Sequence, residues 1–255
     1  MLYLFINRVH FNKYNAMYPT IEMVGKERIR KVLDENQLRL NCIICMETMN
    51  YPEEAAEAVQ AAVDLSCEKI MLVPGRKEGS REELAQAMIE SFTAYVKEAD
   101  KYGITCVIED DPCVQIPLCT REEMHRYFDS VPNLQMVYDT ANMLLVNDDP
   151  IAYYREFLSY IKHMHIKDIR PIDEVVEYAD VSIDGTTMLN SSHGTGVIDF
   201  AALFREFGKT QYDGTMALEF VPREDMDYAE DFKRVYTMFN KLIVENTIGV
   251  NQFGL

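Results

Sequence analysis

Cationic side chains are scarce in this chain. Lys and Arg number 25 against 42 Asp and Glu, a formal charge of −17. A nucleic-acid backbone needs concentrated Lys and Arg, so that class of partner is excluded. Long apolar runs are also missing. No stretch approaches membrane-spanning length, and the opening Met1–Ile6 is interrupted by Asn7 and Arg8 too soon for a signal peptide. The expectation is a cytoplasmic protein with no membrane partner. There is no Pro/Gly/Ser linker, no low-complexity segment and no abrupt shift of composition, which points to a single domain over residues 1–255. Neither G-x-G-x-x-G nor a P-loop is present, so the common nucleotide cradles are absent. The six cysteines are scattered. Cys42 and Cys45 have C-x-x-C spacing, but they lie in the strand-like Leu38–Met46, where residues three apart face opposite sides. No second Cys/His pair accompanies them, and they read as buried free thiols.

What is present is an alternation of strand-like and helix-like segments. Strands are expected near Pro19–Val24, at Leu38–Met46 and at Lys69–Val73. Helices are expected near Lys26–Asn36, from Pro52 to about Ser66, over about Pro150–Tyr160, over Asp199–Gly208 and over Asp225–Glu245. Ser80 with Glu83, and Thr120 with Glu123, have the capping-box spacing that opens a helix. The first of these helices carries Met88, Phe92, Tyr95, Val96 and Ala99 on one face and ends at Gly103. The last helix places Tyr228, Phe232, Val235, Tyr236, Phe239, Leu242 and Ile243 on one amphipathic face. Strands alternating with helices of this length mean βαβ units and a parallel sheet. Only seven strands are convincing. Before Pro19, Leu2–Lys13 reads better as a helix. Either Met1–Ile6 is an abbreviated first strand or that strand is missing, and the second alternative is preferred.

Four of the strand-like runs end in a ligand-type side chain. They are Thr105–Glu109, Leu134–Asp139, Ile161–His165 and Thr215–Glu219. Parallel strands ending on one side of a barrel gather such residues into one site. Parity agrees, because successive strand residues face opposite ways. With Glu109 inward, Val107 is inward and Ile108 faces the helices; with Asp139 inward, Val137 follows and Tyr138 points out. With His165 inward, His163 and Lys167 share its side, and with Glu219 inward Leu218 packs outward. His163 lies deeper, as a satisfied core histidine. Three carboxylates and one imidazole make a cage for a divalent metal, and an oxygen-rich set of this kind suits Mn2+ or Mg2+ better than the sulfur-loving metals. Sites spread over four successive strand ends favour a closed α/β barrel over a doubly wound sheet.

These residues resemble the xylose isomerase-like barrel superfamily, in particular its sugar phosphate isomerases/epimerases of the ketose 3-epimerase type. The matching pieces are VIED (Val107–Asp110), YDTAN (Tyr138–Asn142), HIKD (His165–Asp168), GTGVIDF (Gly194–Phe200) and ALEF (Ala217–Phe220); TIEMV (Thr20–Val24) is similar to the family's second strand. The resemblance implies a (β/α)8 TIM-type barrel whose first strand is lacking or abbreviated. It implies one bound divalent ion, manganese first, with magnesium, cobalt or zinc as alternatives, held by Glu109, Asp139, His165 and Glu219. It further implies that the ion polarises a sugar's carbonyl and neighbouring hydroxyl, while Glu109 and Glu219 move a carbon-bound proton through an enediolate. Asn142, Lys167, Arg170 and His193 are the expected contacts to a small sugar or sugar phosphate. Asn142 stands where epimerase-type members often have a histidine, and the long segment Ile169–His193 reads as an insertion-like loop, a lid or subunit contact. Five histidines are too few for the three-zinc site of the apurinic endonuclease branch. A homo-oligomer, dimer or tetramer, is the expected assembly. The rival readings are a dehydratase or lyase on an inositol-type substrate and a catalytically inactive sugar-binding or regulatory remnant.

Overall fold

The alternating segments build a parallel sheet, as their periodicity requires. The computed structural model describes residues 3–4, 21–111, 116–174, 176, 179–219 and 228–246. Two compact units divide the chain. One holds Leu2–Asp111 and Gln115–Val137; the other holds Tyr138–Leu255 with Met1 and Pro112–Val114.

The first unit contains β1 (Tyr3–Leu4), α1 (Ile21–Val24), α2 (Lys26–Glu35), β2 (Arg39–Leu40) and β3 (Ile43–Cys45). It continues with α3 (Ala55–Asp64), entered through a 3-10 turn at Pro52–Glu54, then β4 (Lys69–Leu72), α4 (Arg81–Ala99), β5 (Thr105–Glu109) and α5 (Arg121–Ser130). Strand β6 (Gln135–Asp139) leads into the second unit. There follow a 3-10 helix at Asn142–Val146, α6 (Pro150–Phe157), β7 (Ile161–Ile166), β8 (Asp168–Ile172), β9 (Asp180–Val181), β10 (Thr187–Ser191), α7 (Phe200–Lys209), β11 (Thr215–Leu218) and α8 (Tyr228–Glu245). Six strands form one sheet in the order β11-β7-β6-β5-β4-β3, and the registered pairs within it are parallel.

Inward parity is visible in the first unit. Val107 and Val137 pack with Cys42 and Met71 in one buried cluster, with Ile44 and Val73 against it. Cys42 and Cys45 are buried free thiols, and burial pushes both thiol pKa values well up. Both capping boxes form, at Ser80/Glu83 and Thr120/Glu123. Met88, Phe92, Tyr95, Val96 and Ala99 are the buried face of α4. Gly103 follows in the left-handed conformation, φ 68°, where a side chain would be strained. Outward parity is equally clear in the second unit, where the Tyr138 ring meets Tyr154 and Phe207 edge-on.

Four expectations need correction. The first strand is not missing: Tyr3–Leu4 pairs in parallel with Arg39–Leu40, so the abbreviated alternative holds and these two residues are not helical. The remainder of the helix expected over Leu2–Lys13, with His10, lies outside the described residues, as does Phe220. Ile21–Val24 is helical rather than a strand. Gly25, at φ 83°, donates its N–H to the Ile21 carbonyl and starts α2, so α1 and α2 form a broken helical entry. The segment Ile169–His193 is no simple loop: β8, β10 and β9 make a separate antiparallel sheet with β10 in the middle. On α8 the buried face is narrower than the pattern implied. Val235, Phe239 and Ile243 are buried, whereas Phe232 and Tyr236 stand exposed. No helix among the described residues is long and apolar enough to cross a membrane.

Candidate active site

The end of β6 sets the site. Asp139 is fully buried, and its Oδ1 accepts the N–H groups of Ala141 and Asn142 at 2.7 and 2.8 Å. The carboxylate thus caps the turn that follows it and is locked in one orientation, with Oδ2 left to face its neighbours. Thr140 ties β6 to the next strand: its N–H donates to the His165 carbonyl at 3.0 Å. Its hydroxyl donates to the Lys167 carbonyl at 2.6 Å and accepts the Lys167 N–H at 2.8 Å. These bonds hold the end of β7 beside the end of β6.

On β7, His163 and His165 share a face, as period two requires, with ring centroids 5.1 Å apart. His163 is buried and satisfied, with Nδ1 2.8 Å from the Thr215 hydroxyl oxygen. His165 turns its Nδ1 to within 3.4 Å of Glu219 Oε2. Strand β11 pairs Ala217 with His165 and Leu218 with Ile166, and the Glu219 N–H donates to the Ile166 carbonyl at 2.9 Å, so Glu219 arrives one step beyond the pairing. Burial opposes ionisation of Glu219, but Lys167, His165 and His193 together outweigh it and hold the carboxyl well below its ordinary range. Each of Asp139, His165 and Glu219 offers a ligand atom, and these atoms lie within 4.8 Å of one another. Two carboxylates and an imidazole at that spacing, with one carboxylate fixed by backbone amides, fit a hard or borderline divalent cation.

Lys167 is the cation of the site. It is 5% exposed, with Nζ 2.5 Å from Asn142 Oδ1 and 3.9 Å from Asp139 Oδ2. Asn142 and Lys167 therefore act as a pair. In the first unit, Glu109 closes β5, half-buried and in register with Val137, two residues before Asp139 on the adjacent strand. Arg170 lies on β8 opposite Leu189, half-exposed.

The structure gives His193 a packing role rather than the substrate contact expected of it. It is 1% exposed, its ring sits edge-on to Phe239, and Nε2 lies 2.6 Å from the Ile166 carbonyl. Burial lowers its pKa.

Asp168 was not singled out as a site residue, yet it organises the rim. Its carboxylate accepts the N–H groups of Gly194 and Gly196, both at 2.8 Å, and of Ile198 at 3.2 Å. HIKD and GTGVIDF are thus one latch. A Cβ on Gly196 would meet Asp168 Oδ1 at 2.2 Å. The available signal was the glycine spacing: two small residues alternating where a carboxylate comes close.

A parallel α/β fold with an acid and imidazole cluster at its strand ends is the architecture of a TIM-type barrel with its polar site at the strand ends. The chain belongs to the xylose isomerase-like TIM barrel family, which matches residues 8–238. Inosose dehydratase from Clostridium tetani (strain Massachusetts / E88) is 30% identical over 105 residues, 39% of this chain and 35% of that protein. The match thus spans about a third of that relative's length. Among solved structures, L-ribulose 3-epimerase superimposes with a TM-score of 0.65 at 14% identity, covering 96% of this chain and 87% of that one. A xylose isomerase-like TIM barrel protein from Mycobacterium smegmatis in complex with magnesium gives a TM-score of 0.63 at 14% identity, covering 85% and 78%. At such identities the likeness is one of fold.

Proposed function

We propose that this chain is a divalent-metal-dependent enzyme that removes a carbon-bound proton next to a carbonyl of a small sugar or sugar phosphate, acting as an isomerase or epimerase. The observation that carries this reading is the convergence of Asp139, His165 and Glu219, with Lys167 beside them. Glu109 is assigned as the fourth ligand, from its place at the end of β5 in register with the strand that delivers Asp139. Manganese is the preferred ion, with magnesium, cobalt or zinc as alternatives. When bound, it would supply Lewis-acid polarisation of a carbonyl and neighbouring hydroxyl.

The chain's own residues then have defined work. Glu219, held as a carboxylate by Lys167 and His165 against the cost of its burial, is the base that takes the proton on one of its carboxylate oxygens. Glu109, on the other side of the substrate, returns a proton. Return to the opposite face of the same carbon gives epimerisation, and return to the neighbouring carbon gives aldose–ketose isomerisation. Lys167 and Asn142 orient substrate oxygens, the first as donor and the second through its amide. Arg170, half-exposed on β8, is assigned a further substrate contact.

A second reading, dehydration of an inositol-type ketone, is favoured by the name of the Clostridium tetani relative. Both reactions start with the same proton removal. They part afterwards, when the electron pair either recaptures a proton or expels a hydroxyl from the next carbon.

The test is deuterium incorporation followed by NMR, with Mn2+-loaded protein, a panel of ketoses and inososes in heavy water, and Glu219→Gln as control. Exchange at one carbon with the skeleton intact, slowed about 100- to 10,000-fold in the variant, is the expected result. Loss of water from substrate would assign the dehydratase. Tight metal binding with neither outcome would leave the inactive binding remnant.

A further inference from the structure

Packing accounts for only part of His193. Its ring centroid lies 5.6 Å from that of Phe239 and 6.1 Å from that of Phe200, contacts that a phenylalanine would make as well. The chain instead buries an imidazole there, which costs desolvation unless its N–H is used. Nε2 lies 2.6 Å from the Ile166 carbonyl oxygen. A carbonyl only accepts, so Nε2 carries the hydrogen. That same oxygen already takes the Glu219 N–H at 2.9 Å. The second donor is therefore not needed to satisfy a buried acceptor. It occupies the oxygen's other lone pair, and so fixes the direction in which the carbonyl meets Glu219.

His193 is itself held from two elements. Arg234, on the second turn of α8, donates Nη2 to the His193 carbonyl at 2.9 Å and to the Ser192 hydroxyl. Asp231, three residues earlier, accepts the Ser192 hydroxyl at 2.5 Å and Arg234 Nη2 at 2.8 Å. From the other side, the Asp168 carboxylate takes the N–H of Gly194, the next residue along. His193 is thus clamped between α8 and the start of β8. Its target, Ile166, stands between His165 and Lys167. Glu219 lies one residue past the last ladder pair, Leu218 with Ile166. The clamp and the base therefore meet at one carbonyl oxygen.

We infer that His193 is a positioning residue: through the Ile166 carbonyl its Nε2–H fixes Glu219 as ligand and base, and Arg234 keeps the ring in place. The inference rests on the assignment of Glu219 to the site and deepens it. Groups that hydrogen-bond behind a metal ligand act by cutting that ligand's freedom, not by touching the ion. His193 does this one step further back, on the backbone that delivers the carboxylate. When the imidazole is replaced by an apolar ring, Ile166 keeps its ladder donor, so the sheet survives. What is lost is local, the place at which the Glu219 carboxylate leaves the strand.

The experiment compares the metal-stripped full chain in wild-type, His193→Phe, His193→Gln and Arg234→Ala forms. His193→Phe keeps the aromatic contacts and loses the donor, while His193→Gln keeps an N–H that can reach the same oxygen. Mn2+ affinity is measured by calorimetry, exchange of the Glu219 amide by NMR, and global stability by urea unfolding. His193→Phe should weaken Mn2+ binding about 10- to 100-fold. It should also speed exchange at Glu219 about tenfold, with amides earlier in β7 and β11 unmoved. His193→Gln should recover most of both effects. Arg234→Ala, at an exposed position that does not threaten folding, should shift both in the same direction by a smaller factor. Wild-type Mn2+ affinity in His193→Phe, or exchange that quickens equally along both strands, would overturn the inference and leave His193 as packing alone. A wild type that binds no divalent ion, with Glu219 exchange still governed by His193, would remove the metal reading and leave the positioning of Glu219 standing. Tight Mn2+ binding indifferent to all three substitutions would do the reverse.

Discussion

Asp168 shows how much one side chain fixes. It follows Lys167 directly, and three amide groups of Gly194, Gly196 and Ile198 point at its buried carboxylate. Without it, donors inside a tight loop lose a charged acceptor, at a cost set by desolvation rather than by the modest net value of each bond. Asp168→Ala should therefore lower stability by about 2–4 kcal/mol in urea unfolding. Gly196→Ala should cost a similar amount through overlap, since its Cβ would fall 2.3 Å from the Ile169 carbonyl oxygen. Equal stability of either variant and wild type would show that the latch is ornamental. Both halves of the latch were legible as motifs, HIKD and GTGVIDF. The bond between them was not, because a sequence gives spacing along the chain and no partner across 26 positions. His193 went the other way: its type suggested chemistry, while the aromatic neighbours that make it a packing residue lie on α7 and α8.

At the scale of elements, periodicity was readable wherever a helix had a cap and a buried face. Ser80 with Glu83, and Asp149 before Pro150, open α4 and α6 as their residue types require. It failed where neighbours decided. Strand β8 contains Pro171, which removes a ladder donor and reads as a loop; it is tolerated because β8 is an edge of the three-stranded sheet. Ile21–Val24 has strand-like composition but is too short for its pattern to discriminate. Packing between α6 and α7 supplies a pH-dependent brace. Arg155 donates Nε and Nη2 to the two oxygens of Glu206 at 2.7 and 2.8 Å, and Lys209 adds a third contact at 3.3 Å. The Arg155 bonds hold the Glu206 carboxyl down at about 2, from an ordinary 4.5, against the opposing effect of burial. A depressed carboxyl stabilises above its unfolded value and loses that contribution as pH falls through its folded value. The wild type should accordingly lose stability between pH 4.5 and about 2 more steeply than Glu206→Gln, measured as urea midpoints at matched ionic strength. Parallel slopes would mean that the brace contributes nothing.

Over the whole molecule, the acidic balance of −17 and the gathered carboxylates pull in one direction. The fold family was legible because strands ending in Glu109, Asp139, His165 and Glu219 recur between helices, a pattern that one βαβ unit after another repeats along the chain. The length of each strand was not legible: β1 and β2 shrink to two residues each. The energetic consequence of gathering acids is a mutual repulsion that Lys167 and the imidazoles relieve in part and that a bound divalent cation would relieve further. Asp139 cannot turn away, since Ala141 and Asn142 hold one oxygen, and Glu219 is tied at its backbone to Ile166. A divalent ion that binds the folded chain and not the unfolded one must then stabilise it by mass action, about 2.7 kcal/mol at a hundredfold excess over Kd. For a chain of this size that corresponds to a rise in melting temperature of roughly 5–11 °C. Mn2+ titrated into metal-stripped protein should produce this rise, a chelator should reverse it, and Asp139→Ala should abolish it. Lys209→Ala, distant from the ligands, should leave the metal-dependent rise intact. A melting temperature indifferent to Mn2+ and its alternatives would remove the metal from the proposed chemistry, because acids fixed this close together would then be stable without the charge they are arranged to receive.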